Sequence, residues 1–195
     1  MMIGNPAILA IESSITTAYE RLSFRGLGFF VIHVGGRRYG VYAPDVTLLA
    51  CSYEEVRERV ARRGAHLLPQ LNEVDASAAV EAILLANFGE DDEREVCGMS
   101  VAEFHHLEHA GRITWAPDGD EAFDDRSYVF HFDVGDRVRL IAFTRKGFPH
   151  DPETLREVWL DGDEFYGILQ RWADEFETEW ARMPKVPCSA DGAEA

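Results

Sequence analysis

The chain is expected to fold as α+β, with an antiparallel β-meander packed against a long C-terminal amphipathic helix and further helices, and three observations carry that expectation. First, Tyr128, Phe130, Phe132 and Val134 alternate with Val129, His131 and Asp133, the period of two that marks a strand. Second, Gly135-Asp136 supplies a two-residue turn, because Gly tolerates the positive φ of the primed hairpin turns, and Arg137 to Thr144 is the return strand. Third, Phe165, Ile168, Leu169, Trp172, Ala173, Phe176, Trp180 and Met183 follow one another at steps of three and four, which is one face of a helix.

Closing the turn pairs Val134 with Arg137, Phe132 with Arg139, Phe130 with Ile141 and Tyr128 with Phe143 on a heavily aromatic face. The opposite face pairs Val129 with Ala142, His131 with Leu140 and Asp133 with Val138, and is still largely apolar. Both faces are therefore expected to be covered. Leu155 to Leu160 reads as a third strand, and Asp161 with Glu164 has the spacing of a capping box that opens the helix. Pro184 and Pro187 close it. The helix stripe is expected to lie on the aromatic face, where two Trp and two Phe would contribute roughly 6–12 kcal/mol gross.

From the N-terminus, Ile3-Gly4-Asn5-Pro6 reads as a turn-like opening and Ala7 to Thr16 as a strand. Gly28 to Val34 and Arg37 to Tyr42 form a hairpin about Gly35-Gly36, pairing Ile32 with Tyr39 and Phe30 with Val41. Val46 to Ala50 is a further short strand. Ser52 and Glu55 box a helix to Gly64 whose thin stripe, Tyr53, Val56 and Val60, places it on the surface, with Glu55–Arg59 and Glu58–Arg62 as solvated i,i+4 pairs. Asp75 caps a second helix that runs to Phe88 and has little polar surface, so it is expected to be buried. Ser100 and Glu103 box a third, which ends near Ala110 with Gly111 behind it, and Arg112 to Ala116 is a possible strand.

A length of 195 residues is enough for a full core, and residues 1–183 are read as a single domain with 184–195 as a disordered tail. Nineteen basic against 35 acidic residues give a net charge of −16, which argues against nucleic-acid binding and against docking on anionic membranes. Cys51, Cys97 and Cys188 are odd in number and lack a C-x-x-C pair, so neither a disulfide framework nor a thiolate zinc site is indicated. With no basic n-region and no apolar run of membrane-span length, a cytoplasmic location is expected.

One motif invites a catalytic reading. His105-His106-Leu107-Glu108-His109 matches H-x-x-E-H, in which two His at i and i+4 bind zinc and the Glu serves as general base. The alternative it raises is a small zinc-dependent hydrolase using His105, Glu108 and His109. The preferred reading is a polar helix face with several histidines, with no metal and no cofactor. His131 alternates into a strand and reads as a packed side chain rather than a base. Two acidic stretches remain: Glu90, Asp91, Asp92 and Glu93 in one, and Asp118, Asp120, Glu121, Asp124 and Asp125 in the other. They are either solvated surface, as in a generic acidic interaction module, or an electrostatic docking face for a cationic protein.

The phrases Ile3-Gly4-Asn5-Pro6 leading to Ala10-Ile11-Glu12, the Thr47-Leu48 element, the Tyr128–Phe132 strand, Arg139-Leu140-Ile141 and Leu160-x-x-x-Glu164-Phe165 resemble the bacterial polymorphic-toxin immunity proteins, most closely the immunity protein forty-two family. The resemblance implies a single α+β domain, no enzymatic activity, and tight binding to a toxin encoded by a neighbouring gene. It carries no catalytic or metal residues. The nine acidic residues are toxin-contact candidates from the charge argument alone, and the toxin they suit is basic.

Overall fold

The computed structural model describes residues 1–89, 95–116, 121–146 and 150–187. β1 (Met2–Asn5), β2 (Leu9–Tyr19), β3 (Gly26–Val34) and β4 (Arg37–Tyr39) lie side by side in chain order, and β5 (Thr47–Leu48) pairs with β3 beyond the end of β4. α1 (Leu49–Ala61) leaves β5 directly. It is followed by α2 (Ala76–Phe88), the small hairpin of β6 (Glu95–Val96) and β7 (Met99–Ser100), and α3 (Val101–Gly111). β8 (Thr114–Ala116), β9 (Ser127–Val134), β10 (Arg137–Thr144) and β11 (Arg156–Asp161) make a second antiparallel sheet in the order β11-β10-β9-β8. α4 (Gly162–Arg182) then crosses back to the first sheet, where β12 (Lys185–Val186) runs parallel to Ala18 and Tyr19 of β2. No helix among the described residues is long and apolar enough to cross a membrane.

The central hairpin has the register expected from alternation, with Val134 opposite Arg137, His131 opposite Leu140 and Tyr128 opposite Phe143. Gly135 sits at φ +64°, where a β-carbon would be strained. Asp75 caps α2 by accepting from the Ala78 amide, and Ser100 with Glu103 forms the full reciprocal box on α3.

The side of the sheet on which α4 lies is a correction. Its stripe does not meet the aromatic face. Tyr128, Phe130, Phe132, Ile141 and Phe143 pack instead against Ala79, Val80, Ile83 and Leu84 of α2 and Phe104 of α3. α4 takes the opposite face, with Phe165 and Tyr166 on Val138 and Leu140, while Trp172 and Phe176 reach Ile11 and Phe30 of the first sheet and Tyr53 of α1. The polar tips of the large side chains decide this, because a buried Trp N–H or Tyr O–H needs an acceptor. Trp172 Nε1 donates to Ser13 Oγ at 3.0 Å and Tyr166 Oη to Asp133 at 2.7 Å, and neither acceptor lies on the aromatic face. α2, apolar almost all round, is the better cover for a surface of rings.

Smaller corrections have similar causes. Ile3 to Asn5 is strand, not turn, because β1 pairs with β2 from Met2 opposite Glu12 to Asn5 opposite Leu9. Gly4 is required there: at φ +108° an added β-carbon would lie 2.4 Å from the Leu9 carbonyl oxygen. β4 stops at Tyr39, and the Val41 amide goes to the Ala122 carbonyl rather than to β3. α1 begins at Leu49 with no side-chain cap, so Ser52 lies inside the helix and is buried. Leu49 and Ala50, read from sequence as strand, widen the stripe by which α1 packs on α4, while Cys51, Glu54, Arg57, Glu58 and Ala61 keep its outer face at the surface, as expected. Asp161 caps α4 through the Asp163 and Glu164 amides, without the reciprocal Glu164 bond. Lys185 and Val186, assigned to the tail, form β12, and residues 188–195 lie outside the described residues.

Candidate functional site

The acidic candidates divide. Glu90, Asp91, Asp92, Glu93, Asp118 and Asp120 lie outside the described residues. Glu121, Asp124 and Asp125 are exposed on and just after a short helical turn, 121–123, whose other two side chains, Ala122 and Phe123, are buried. Phe123 stands edge-on to Phe30, with ring centroids 6.2 Å apart, and the Ala122 carbonyl accepts from the Val41 amide at 2.8 Å. The Asp125 carboxylate accepts from the Ser127 amide at 3.0 Å. An anchored backbone therefore presents Glu121 and Asp124 to solvent. Ordering loop side chains on binding costs free energy, and an anchored turn has met part of that cost beforehand.

The H-x-x-E-H residues do sit on a helix. His105, Glu108 and His109 of α3 have side-chain ligand atoms within 4.8 Å of one another. Two of the three already hold hydrogen-bond partners. His105 Nε2 donates to the Ala86 carbonyl at 2.6 Å, and the His105 and His109 rings stack at 6.0 Å. Glu108 is 5% exposed and accepts from Thr114 Oγ1 at 2.7 Å and from Asn87 Nδ2 at 3.3 Å. Among the described residues no distant carboxylate joins the cluster as a further ligand.

A cluster that sequence reading did not assemble lies where α1, β9 and α4 meet. His131 is fully buried, with Arg59 Nη1 donating to its Nδ1 at 3.0 Å. That donor makes Nδ1 an acceptor and leaves the ring proton on Nε2, 3.5 Å from Asp133 Oδ1. Burial, with Arg59 and His66 nearby, pushes the His131 pKa down to about 3, so the ring is neutral. Burial works against ionisation of Asp133 too, but hydrogen bonds from His131, Tyr166 and the His66 amide outweigh it and hold the carboxyl at about 2. Tyr166 Oη donates to both Asp133 oxygens and is pushed far above the ordinary phenol value by burial and by that carboxylate. His66, with Nδ1 2.9 Å from the Gly111 carbonyl oxygen and its ring 4.4 Å from His131, is lowered mainly by burial. Arg59, 1% exposed, is drawn down to about 10 by burial and stays charged, with Glu55 3.0 Å from Nε. So the Glu55–Arg59 pair forms, but with its guanidinium buried and only the Glu55 carboxylate partly solvated. Glu58 pairs with Arg112 instead of Arg62. His131 and Asp133 at i and i+2 were the available signal, since two polar side chains on an apolar strand face must meet partners inside.

No curated protein matches the chain. Among solved structures, CdiI from Burkholderia dolosa AUO158 aligns with a TM-score of 0.56, covering 90% of this chain and 99% of its own, at 17% sequence identity. At that identity the shared property is the fold. The family profile described as Immunity protein 42 matches residues 1–175. A match over that much of the chain places the protein in the Immunity protein 42 family.

Proposed function

We propose that the chain neutralises its cognate toxin by stoichiometric binding, without catalysis, in the cytoplasm, and that the toxin domain is basic. The observation that carries the reading is the anchored acidic turn: Glu121, Asp124 and Asp125 are exposed on a backbone held by buried Ala122 and Phe123 in a chain of net charge −16. The family supplies the class of partner. The polar cluster around His131 supports a non-catalytic role, because its histidine and carboxylate are spent on internal hydrogen bonds and are sealed from solvent. Glu90 to Glu93, Asp118 and Asp120 are proposed, from their charge, to belong to the same docking field.

Steering between exposed charges is screened beyond a Debye length of about 8 Å at physiological salt. The association rate with the toxin domain should therefore fall steeply as salt rises, while dissociation changes less. Glu121→Lys with Asp124→Lys should slow association about tenfold or more at low salt and leave folding intact, since exposed carboxylates contribute little to stability. Asp125 is left in place because it holds the Ser127 amide. Association that is insensitive both to salt and to this double reversal would remove the acidic turn from the interface.

A further inference from the structure

We propose that the cleft between α2, α3 and the β8–β9 edge is the seat of a single cationic side chain, an arginine in preference to a lysine, contributed by the toxin. This rests on the toxin-binding reading above but on a separate surface. The cleft has a volume of about 330 Å³, near the lower bound of small-molecule sites at about 300–1,000 Å³, and suits one long side chain. Its walls are mostly apolar, with Ile83, Leu84, Phe88, Tyr128 and Phe130. Into that lining α3 places Glu108, which is 5% exposed.

The state of this carboxylate points to the occupant. A carboxylate offers about four acceptor sites. Glu108 uses two of them on neutral donors, Thr114 Oγ1 and Asn87 Nδ2; among the described residues it forms no salt bridge, and the imidazoles of His105 and His109 stand within 4.8 Å without a hydrogen bond to it. Arg112, which also lines the cleft, has its guanidinium committed to Glu55 and Glu58. A buried carboxylate held only by neutral groups is short of a counter-charge. An apolar anchor entering the cleft would strip its remaining water and return nothing, whereas a cation returns charge-assisted hydrogen bonds. The apolar walls suit the methylene stem of such a side chain. Phe88, 49% exposed, offers a ring to a planar guanidinium, as it already does to Arg145 at 4.2 Å. The net charge of −16 draws the same kind of partner.

The test uses the full chain and the toxin domain encoded beside it, with kinetics of binding measured for wild type, Glu108→Gln and Phe88→Ala. Glu108→Gln keeps an acceptor for Thr114 and removes the charge, and Phe88→Ala alters an exposed wall, so at least one variant reports even if the other fails to fold. The expected result is a tenfold or greater rise in the dissociation rate for Glu108→Gln and a smaller rise for Phe88→Ala, with little change in association. In a second arm, N-acetylarginine amide is titrated into the free protein while the Asn87 side-chain amide is followed by NMR. A saturable shift, absent with the neutral N-acetylcitrulline amide and absent in Glu108→Gln, is expected. If the toxin binds wild type and both variants with equal lifetimes, the cleft assignment is overturned and the toxin-binding reading stands. If wild type does not bind the toxin at all, that reading fails and the cleft assignment falls with it. A molar equivalent of zinc bound through His105, Glu108 and His109 would also overturn it, making the carboxylate a metal ligand.

Discussion

His131 shows how one buried residue makes stability depend on pH. Its pKa falls from 6.5 in the open chain to about 3 in the fold. Between those values the unfolded chain takes up a proton that the native ring refuses, so the stabilisation is whole above pH 6.5 and is lost as pH falls toward 3. From pH 6.5 to pH 5 the loss from this one residue is about 2 kcal/mol, at 1.36 kcal/mol per unit. His66 acts in the same direction, and Asp133 extends the loss between pH 3.8 and about 2. Acidification also relieves repulsion among the excess carboxylates, which works the other way. Urea denaturation at pH 7 and pH 5, on wild type and His131→Gln, separates the two effects. Wild type should lose about 2 kcal/mol more than the variant, and equal losses would show that His131 titrates normally. At the His105–His109 motif the expectation is that protein purified without tag or added metal carries no stoichiometric zinc, because Glu108 and His105 already serve internal partners. Elemental analysis checks this, and a molar equivalent lost in His109→Ala would reverse it.

At the scale of elements, the central hairpin depends on one turn. Side chains alternate with a period of two, so one residue inserted at Gly135-Asp136 must either bulge or send one strand's side chains to the wrong face. Here both faces are occupied, by α2 and α3 on one side and α4 on the other, so neither slip is tolerated. The expected outcome is a destabilisation on the order of 2 kcal/mol or more, read as a lower denaturant midpoint. An unchanged midpoint would mean that another contact sets the register. A second tie crosses the same sheet. Arg139, 2% exposed on the aromatic face, pairs with Glu157 at 2.7 Å and donates to the Leu71 and Val74 carbonyls at 2.6 and 2.7 Å. The connector between α1 and α2 is held to the sheet by this guanidinium, which supplies donors that an apolar side chain there would lack.

For the molecule as a whole, α4 is the joint between the two sheets, and its C-terminal end is finished by β12. Lys185 Nζ donates to the Trp180 and Met183 carbonyls, and the Glu20 amide donates to the Val186 carbonyl. A cation at a helix C-terminus also suits the helix dipole. Ending the chain after Pro187 should leave the melting temperature unchanged, whereas ending it after Pro184 should lower it by a few degrees, at about 2–4 °C per kcal/mol for a chain of this size. Equal melting temperatures for the two truncations would show that β12 contributes nothing to the joint.

Pieces of the fold whose cause is local are readable along the chain. Alternation and a Gly turn set the strands and register of the central hairpin, while Asp75, Ser100 with Glu103, and Asp161 marked helix starts through hydrogen bonds that span only a few residues. The family resemblance was legible too, and so was the acidic character of residues 121–125. Tertiary structure alone decided which face of the meander α4 covers, because the acceptors for Trp172 and Tyr166 come from strands distant in sequence. It also decided how firmly α1 packs and that the Arg59 end of the Glu55–Arg59 pair is buried, since the thin stripe of Tyr53 and Val56 became wide only when Leu49 joined it against α4. The Arg59–His131–Asp133–Tyr166 cluster and the carboxylate of Glu108 in its cleft belong to the same class. Each draws residues from several elements, and the energy of a buried polar group depends on partners that spacing along the chain does not reveal.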